Sequence, residues 1–287
     1  MNLFCFGPGF SARALIARLA PAAWNVRVTS RRTGDGDGLA TVPFDGSAPL
    51  PDGALDGVTH VLSSVPPDDD GDPVVRACAA QLRACSTLQW VGYLSTTGVY
   101  GDRQGGVVDE SSELRPAGRR GERRVTAERQ WLDLFPDAPP AVQVFRLAGI
   151  YGPGRGPFRA LRDGTARRIV KPGQVFSRIH VDDIATVLAA SIARPEAGGI
   201  YNVCDDNPAP PQDVVAHAAM LLGVEPPPEI PFAEAELSPM ARSFYGESKR
   251  VANDRIKRVL GVTLRYPGYV EGLPAVLAAE RAMGLSD

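Results

Sequence analysis

Short apolar runs alternate with segments of helical periodicity along most of this 287-residue chain. The first run, Leu3–Phe6, has the length of one buried strand and stops at the sequence Gly-Pro-Gly. Apolar positions at Ala14, Leu15 and Leu19 then follow the spacing of one helix face. Strands that alternate with helices in this way are typical of βαβ units and of a parallel sheet.

The same alternation continues beyond the first helix. Runs of β-branched and aromatic residues predict strands, and apolar positions with helical spacing predict helices. The predicted strands are Trp24–Ser30, Thr41–Phe44, Asp56–Val65 and Leu88–Leu94, and the predicted helices are Pro73–Ala84, Gly118–Phe135, Pro211–Leu222 and Lys249–Leu260.

The turn after the first strand has the spacing G-x-G-x-x-A, formed by Gly7, Gly9 and Ala12. In a dinucleotide site the first glycine allows the tight turn, the second lets the backbone approach a pyrophosphate, and the small third residue lets the helix pack on the strand. The helix start at Phe10 and Ser11 then offers free N–H groups to the anion. We therefore predict a dinucleotide site; the alternative is a plain glycine turn.

The end of the second strand indicates which dinucleotide is bound. An NAD site usually has an acid here for the ribose hydroxyls, whereas this chain has Ser30, Arg31 and Arg32. A hydroxyl and two guanidinium groups suit a 2′-phosphate. The sequence therefore favours NADP over NAD, unless the two arginines only solvate the strand end.

Further cofactor contacts are expected where other strands end, because the carboxyl ends of parallel strands border the ligand crevice. Asp45 follows the third predicted strand, and Ser63, Ser64 and Val65 end the fourth. These four residues are predicted to lie beside the cofactor.

Composition narrows the class of protein. The length allows one large α/β domain or a domain with a small cap, and the formal net charge of −2 gives no reason to expect nucleic acid or a membrane surface as partner. No apolar stretch reaches the roughly 20 residues of a membrane span. The four cysteines lack C-x-x-C spacing, which predicts free thiols, a cytoplasmic location and no metal. The acidic run Asp68–Asp72 is interpreted as a solvated loop.

Four motifs in consistent order make the chain similar to a known family. They are Gly98–Asp102 (GVYGD) after strand-end hydroxyls, Arg146–Gly154 (RLAGIYGPG), Ser177–Ala185 (SRIHVDDIA) and Ile200–Val203 (IYNV). Together they resemble the extended short-chain dehydrogenase/reductases, the class of sugar-nucleotide epimerases and dehydratases. The resemblance runs from Asn2 to about Leu273.

The resemblance implies roles for particular residues. Thr96 takes the position of the family's strand-end catalytic hydroxyl, although a turn-capping role is the alternative. The implied cofactor contacts are Ser95, Ala148 and Gly149, and the implied substrate contacts are Thr97 and Phe158. Arg124 at the cofactor, and Arg120, Arg155 and Arg178 at the substrate, are predicted to bind anionic groups; the alternative for these arginines is a solvated basic surface.

The chain departs from the family at the Tyr-x-x-x-Lys pair, whose lysine assists the tyrosine in moving a proton. Glu128 matches the family's acid four residues after the lysine, so the lysine slot holds Arg124 and the tyrosine slot holds Arg120. Arginine stays protonated in proteins and does not act as a proton donor at neutral pH. The chain thus resembles an atypical subgroup that lacks the pair.

Other residues remain candidates for proton transfer. Tyr100, Tyr151 and Tyr245 are considered, and Lys249 is the only lysine that follows a tyrosine, Tyr245, at a distance of four residues. We interpret that pair as part of the C-terminal segment. His180 is interpreted as a structural histidine, and Asp183 as an acid that caps or anchors the helix beginning there.

The predicted fold class is α/β, a Rossmann-type doubly wound parallel sheet with a small, mostly helical C-terminal substrate lobe. The sheet domain is assigned to 1–151 and about 179–204, the lobe to about 152–178 and 205–273, and a tail or helix to 274–287. The predicted function is an NADP-binding oxidoreductase or epimerase/dehydratase-like enzyme of a small, anionic substrate, as a monomer or homodimer. The alternative is a non-catalytic NADP-binding redox sensor or regulatory protein.

Overall fold

A parallel sheet of seven strands forms the centre of the computed structural model, which describes residues 1–31, 38–136, 140–195 and 199–285. The strands are β1 (Asn2–Phe6), β2 (Asn25–Ser30), β3 (Ala40–Pro43), β4 (His60–Ser63), β5 (Trp90–Thr96), β6 (Val107–Val108), β7 (Ala141–Leu147), β8 (Gly149–Tyr151), β9 (Arg168–Val170), β10 (Arg178–His180), β11 (Gly199–Val203), β12 (Glu229–Pro231) and β13 (Arg250–Val251). The helices are α1 (Phe10–Arg18), α2 (Pro73–Ala84), α3 (Arg119–Leu132), α4 (Pro157–Arg162), α5 (Val181–Ile192), α6 (Pro211–Leu222), α7 (Pro239–Phe244), α8 (Asp254–Arg258) and α9 (Tyr269–Ala282).

The strand order of the central sheet is β11-β7-β5-β4-β1-β2-β3, with parallel pairing throughout. From β1 the chain moves outward through β2 and β3, then returns to β4 on the other side of β1 and continues to β11. The switch point therefore lies between β1 and β4, and the ligand crevice of such a sheet opens there. The predicted α/β, doubly wound class is confirmed.

Helices cover both faces of the sheet. On one face α1 and α5 pack against each other and against Leu3, Cys5 and Leu62. On the other face α2 and α3 pack over Phe4, Phe6 and neighbouring apolar side chains. Burial of β1 on both faces explains why its sequence is continuously apolar instead of alternating.

Elements outside the central sheet, most of them after β7 in the chain, build a smaller layer beside the carboxyl edge of the sheet. Helices α4, α6 and α9 share a separate apolar cluster that includes Tyr151, Phe158 and Leu273. Short parallel pairs β8–β10, β9–β12 and β6–β13 accompany them, so the layer is less purely helical than the sequence suggests. The assigned domain boundaries remain predictions; the one at 274 falls inside α9.

Several predicted elements have different bounds in the structure, and three of these differences have a clear consequence. The fourth strand is His60–Ser63 instead of Asp56–Val65, because Gly57 has a φ of +66° and forms a turn. The fifth strand extends to Thr96, which places Ser95 and Thr96 inside it. The helix predicted over Lys249–Leu260 was wrong: strand β13 opens that segment, and only Asp254–Arg258 is helical.

None of the helices within the described residues is long and apolar enough to cross a membrane.

Candidate functional site

The glycine turn lies at the carboxyl end of β1, beside the switch point. Gly7 has a φ of +69°, a conformation that favours glycine, and its N–H donates to Thr29 Oγ1 at 2.9 Å. The Ser64 hydroxyl donates to the Gly7 carbonyl. A Cβ on Gly7 would lie 3.1 Å from Val65 Cγ2. Ser64 and Val65, both predicted cofactor contacts, therefore hold the turn in shape from β4.

Gly9 occupies the open side of the same turn. Its φ is −75°, and the nearest atoms to a Cβ built there are Ser64 Oγ at 3.7 Å and the Gly7 carbonyl oxygen at 3.9 Å. Gly9 is also the N-cap of α1, and no side chain in the described part of the chain caps that helix. The first turn of α1 thus offers N–H groups and a positive dipole end to an anion.

The residues after Gly9 divide between surface and core. Ser11 and Ala12 are buried, at 5% and 0% exposure, so Ala12 has the predicted packing role. The Phe10 ring is half-buried and carries the guanidinium of Arg155 above it, 5.7 Å from the ring centroid. Arg155, predicted to contact substrate, therefore lies beside the N-terminal end of α1.

Strands β2 and β3 end side by side, where the adenosine ribose is predicted to lie. Ser30 ends β2, and its carbonyl accepts the Phe44 N–H at 3.0 Å. Arg31 is exposed, whereas Arg32 lies outside the described residues. Asp45 is exposed and accepts hydrogen bonds from the Ser47 hydroxyl and N–H, which lower the pKa of the Asp45 carboxyl.

Two predicted cofactor contacts are contradicted. Ser63 is completely buried, and its hydroxyl reaches neither solvent nor any hydrogen-bond partner among the described residues. Ser95 is also buried and donates its hydroxyl to Glu128 Oε1. Both side chains are buried because they lie within strands whose two faces are covered by helices.

Thr96 ends β5 at the carboxyl edge of the sheet. Its Oγ1 accepts the Gly98 N–H at 3.1 Å and so caps a short 3₁₀ helix, Thr97–Tyr100. The capping alternative therefore describes part of what Thr96 does. A hydroxyl that accepts one bond still has its own proton to donate. Its catalytic role remains a prediction, as does substrate contact by the half-buried Thr97.

A buried polar network lies behind this edge. Arg146 of β7 forms an ion pair with Glu128 of α3 at 2.7 Å, with side-chain exposures of 3% and 2%. Arg146 Nη1 also donates to the Tyr100 hydroxyl at 2.9 Å, and that hydroxyl donates to Asn202 Oδ1 at 2.6 Å. Burial raises the pKa of Tyr100 to about 12. Tyr100 is fully buried, which contradicts its candidacy as proton donor.

The arginines in the tyrosine and lysine slots lie in different surroundings. Arg124 is half-buried; its Nη1 donates to the Leu94 carbonyl and, at 3.1 Å, to the Tyr93 hydroxyl. Arg120 is exposed, and its guanidinium lies 5.7 Å from the centroid of the Phe244 ring. Arg124 therefore lies at the carboxyl end of β5, where the cofactor role was predicted, and Arg120 faces the smaller layer.

The acidic loop is solvated at Asp69 and Asp70, as interpreted, but not at Asp72. Asp69 is bound by Arg119 and Arg123, and these arginines lower the pKa of its carboxyl. Asp72 is fully buried and caps α2, accepting the N–H groups of Val74 and Val75 at 2.8 and 3.2 Å. The signal for this cap was present in the sequence, since an aspartate directly before a proline is a typical helix start.

Tyr151 and His180 belong to the packing of the smaller layer. The Tyr151 hydroxyl donates to the Gly268 carbonyl at 3.2 Å, and burial raises the pKa of Tyr151. His180 is buried, and its Nδ1 accepts the Asp182 N–H at 3.1 Å as the cap of α5. Asp183 instead anchors the helix, accepting the N–H groups of Arg265 and Tyr266 at 2.8 and 2.9 Å.

Tyr245 and Lys249 do not form a catalytic pair in this conformation. Lys249 is buried and donates to the Gly101 carbonyl at 2.8 Å and to Glu247. The Tyr245 ring instead lies against Phe232 and Phe176, at centroid distances of 5.2 and 5.7 Å. Within the described residues no hydrogen bond joins the two side chains.

Of the remaining predicted contacts, two lie at the edge of the sheet and one lies in the core of the smaller layer. Ala148 and Gly149 follow β7; their N–H groups donate to Val203 and Ser177 carbonyls at 3.0 and 3.1 Å, and Gly149 is exposed. Phe158 is completely buried in the core of the smaller layer, so its predicted substrate contact was wrong. Asp205 is a buried carboxyl that no motif in the sequence indicates.

The sheet order, the glycine turn and the crevice at the switch point define a Rossmann-type α/β protein. MoeE5 in complex with UDP-glucuronic acid and NAD has the same fold, with a TM-score of 0.80 at 21% identity over 99% of this chain and 100% of MoeE5. The human epimerase family protein SDR39U1 with NADPH matches with a TM-score of 0.73 at 16% identity over 97% and 99% of the two chains.

A nearer relative is a functionally unknown conserved protein from Silicibacter pomeroyi DSS. It is 54% identical, with a TM-score of 0.90 over 97% of this chain and 98% of its own. The chain described here belongs to the same family as that protein.

Two curated relatives match over part of their length. Protein YeeZ of Escherichia coli K12 is 34% identical over 179 residues, 61% of this chain and 58% of YeeZ. A 3-diazoavenalumate denitrifying reductase of Streptomyces sp is 33% identical over 143 residues, 45% of each chain. The matches thus span about half the length of these relatives. No family model matches the chain.

Proposed function

We propose that this protein binds NADP(H) in the crevice at the switch point and acts as an oxidoreductase or epimerase/dehydratase-like enzyme on a small anionic molecule. The observation that carries the proposal is the open side of Gly9, directly before the first turn of α1. Fold neighbours that hold NAD or NADPH support a nicotinamide cofactor. We also propose that the chain belongs to an atypical subgroup without the tyrosine–lysine pair, and Arg120 and Arg124 in those slots support this.

The residues of the crevice fit such a cofactor. The N–H groups at the start of α1 bind the pyrophosphate, and Ser30 and Arg31 lie at the strand end that the adenosine ribose approaches. Arg124 and Thr96, both from the carboxyl end of β5 or the helix beside it, bind and orient groups at the nicotinamide end. A bound nicotinamide supplies hydride transfer, and the chain supplies orientation and charge.

We expect the wild-type protein to bind NADP⁺ at least about tenfold more tightly than NAD⁺. A charge-assisted contact to the 2′-phosphate contributes about 1.5–3 kcal/mol, and about 1.4 kcal/mol corresponds to tenfold in affinity. Arg31→Ala should reduce the preference without changing NAD⁺ affinity. Calorimetric titration of both cofactors against both proteins measures this, and equal wild-type affinities would refute the NADP assignment.

The proton donor of the proposed reaction is not Tyr245. Its ring is held between Phe232 and Phe176, and burial raises the pKa of its hydroxyl. We expect Tyr245→Phe to change kcat for NADPH oxidation by less than about threefold, because the substitution keeps the ring. Loss of a true general acid costs roughly 10²–10⁴ in rate. A loss of that size in a folded variant would assign the proton transfer to Tyr245.

A second candidate function is a non-catalytic NADP(H) sensor. The arginines in the tyrosine and lysine slots favour it, because a guanidinium holds an anion but does not donate a proton at neutral pH. A redox sensor must bind NADPH and NADP⁺ with different affinity in at least one of its conformations. A ligand that binds two conformations with equal affinity does not shift the equilibrium between them. Turnover of NADPH with a substrate selects the enzyme instead.

A cytoplasmic location and a monomer or homodimer are also proposed. The location fits the four cysteines, Cys5, Cys78, Cys85 and Cys204, which are free thiols in the structure.

A further inference from the structure

Arg178 presents unused hydrogen-bond donors in a mostly apolar setting. It is the first residue of β10, and its Nη1 donates to the carbonyls of Phe176 and Ala209 at 2.9 and 3.0 Å. In the described part of the chain, its Nε and Nη2 donate no hydrogen bond. These two nitrogens form the edge of a guanidinium that binds a carboxylate with two parallel bonds.

Among the charged neighbours of Arg178, buried Asp205 acts on it most strongly. Asp205 is 1% exposed, and its N–H donates to the Arg178 carbonyl at 2.7 Å. Its Oδ1 accepts the Asn207 N–H, whereas its Oδ2 is buried without a partner in the described residues. Burial raises the pKa of Asp205 to about 7. No ion pair joins Asp205 and Arg178 within the described ranges, so Nε and Nη2 of Arg178 remain available to a ligand.

Three aromatic rings lie in contact one after the other, and the first of them lies beside the Arg178 guanidinium. The Arg178 guanidinium carbon lies 5.9 Å from the centroid of the Phe176 ring. Tyr245 meets Phe176 edge to face at 5.7 Å, and Phe232 stacks on Tyr245 at 5.2 Å. All three rings are half-buried. Half-buried rings beside a cation form a surface that accepts a planar apolar group with an acidic end.

The position of Arg178 links this surface to the proposed cofactor crevice. In the β8–β10 pair, Arg178 lies opposite Gly149, two residues after the carboxyl end of β7. A Cβ on Gly149 would lie 3.7 Å from Arg178 Cγ. The arginine stem therefore runs beside the edge of the sheet where the nicotinamide end is proposed.

We propose that Arg178 binds the carboxylate of an aromatic acid substrate, whose ring lies against Phe176 and Tyr245. The proposal rests on the proposed function, because that function supplies the reacting group beside this surface. It narrows the proposed anionic substrate to the aromatic carboxylic acids. Arg178 fixes the acid end through Nε and Nη2, and the rings orient the planar body.

Cinnamate and its uncharged amide, cinnamamide, serve as matched probes in calorimetric titrations of the full chain, with and without saturating NADP⁺. We expect wild type to bind cinnamate at least about tenfold more tightly than cinnamamide, since a charge-assisted bond is lost with the amide. Arg178→Gln should remove that difference. Arg159→Gln, on an arginine with 85% side-chain exposure, is the control and should keep it.

Folding and cofactor binding are measured on the same variants. Arg178→Lys keeps the charge without the bidentate edge and should bind cinnamate more weakly than wild type, with an unchanged thermal midpoint. If wild type binds NADP⁺ but treats cinnamate and cinnamamide alike, the aromatic-acid proposal fails and the cofactor proposal stands. The aromatic-acid proposal would also fail if wild type bound uridine diphosphate more tightly than cinnamate and Arg178→Gln lost the binding of uridine diphosphate. Failure to bind NADP⁺ or NAD⁺ would instead refute the proposed function.

Discussion

Gly9→Val is expected to lower NADP(H) affinity by at least about 100-fold while leaving the fold intact. The side chain would fill the open side of the turn, where the pyrophosphate meets the backbone. Loss of two charge-assisted hydrogen bonds at about 1.5 kcal/mol each accounts for this factor. The fold should persist because Gly9 has a φ of −75°, which valine adopts, and ordinary contact distances surround its Cβ. Quenching or enhancement of NADPH fluorescence measures the binding.

Gly118→Val is the matched control for this variant. Gly118 is likewise a helix N-cap with extended backbone, at the start of α3, and nothing lies within 4 Å of a Cβ built there. We expect it to bind NADPH as the wild type does. Normal binding by Gly9→Val would mean that the pyrophosphate lies elsewhere, and the proposed cofactor crevice would have to be abandoned.

Glu128→Ala is expected to lower the free energy of unfolding by about 3–5 kcal/mol, because it leaves the buried Arg146 charge without its partner. The substitution also removes the acceptor of the Ser95 hydroxyl. Urea unfolding followed by tryptophan fluorescence measures the change, since Trp131 lies on the same helix as Glu128.

Glu122→Ala is the control on the same helix. Glu122 is exposed in the first turn of α3, so its loss should cost less than about 1 kcal/mol. The double variant Glu128→Leu with Arg146→Met replaces the ion pair by apolar side chains and should recover most of the lost stability. Equal stability of Glu128→Ala and wild type would show that the pair contributes nothing to the fold.

Local sequence patterns were sufficient for several elements. The helices Pro73–Ala84 and Pro211–Leu222 have the predicted bounds, because each begins at a proline, which fits the first helical turn, and then keeps one apolar face. The strand, glycine turn and helix at the N-terminus also agree with the prediction. These features depend on residues close in sequence, and no distant contact overrides them.

Side-chain direction at strand ends was the main source of error. Ser63 and Ser95 end or nearly end strands at the crevice edge, yet both hydroxyls are buried. A shift of one residue in a strand exchanges the two faces of the sheet, and the sequence does not specify that register at its last residue. Phe158 was wrong for a related reason: an aromatic residue after a glycine-rich turn packs inward or outward according to the helices that cover it.

The sequence by itself determined the alternation of strands and helices, the glycine turn and the cation-rich end of β2, since each depends on residues within a short stretch. Only the tertiary structure decided that Glu128 pairs with Arg146, that Lys249 binds the Gly101 carbonyl and that, among the described residues, Nε and Nη2 of Arg178 donate no hydrogen bond. These contacts join residues on different elements of the fold. Their distances depend on strand order and helix packing, which no local pattern encodes.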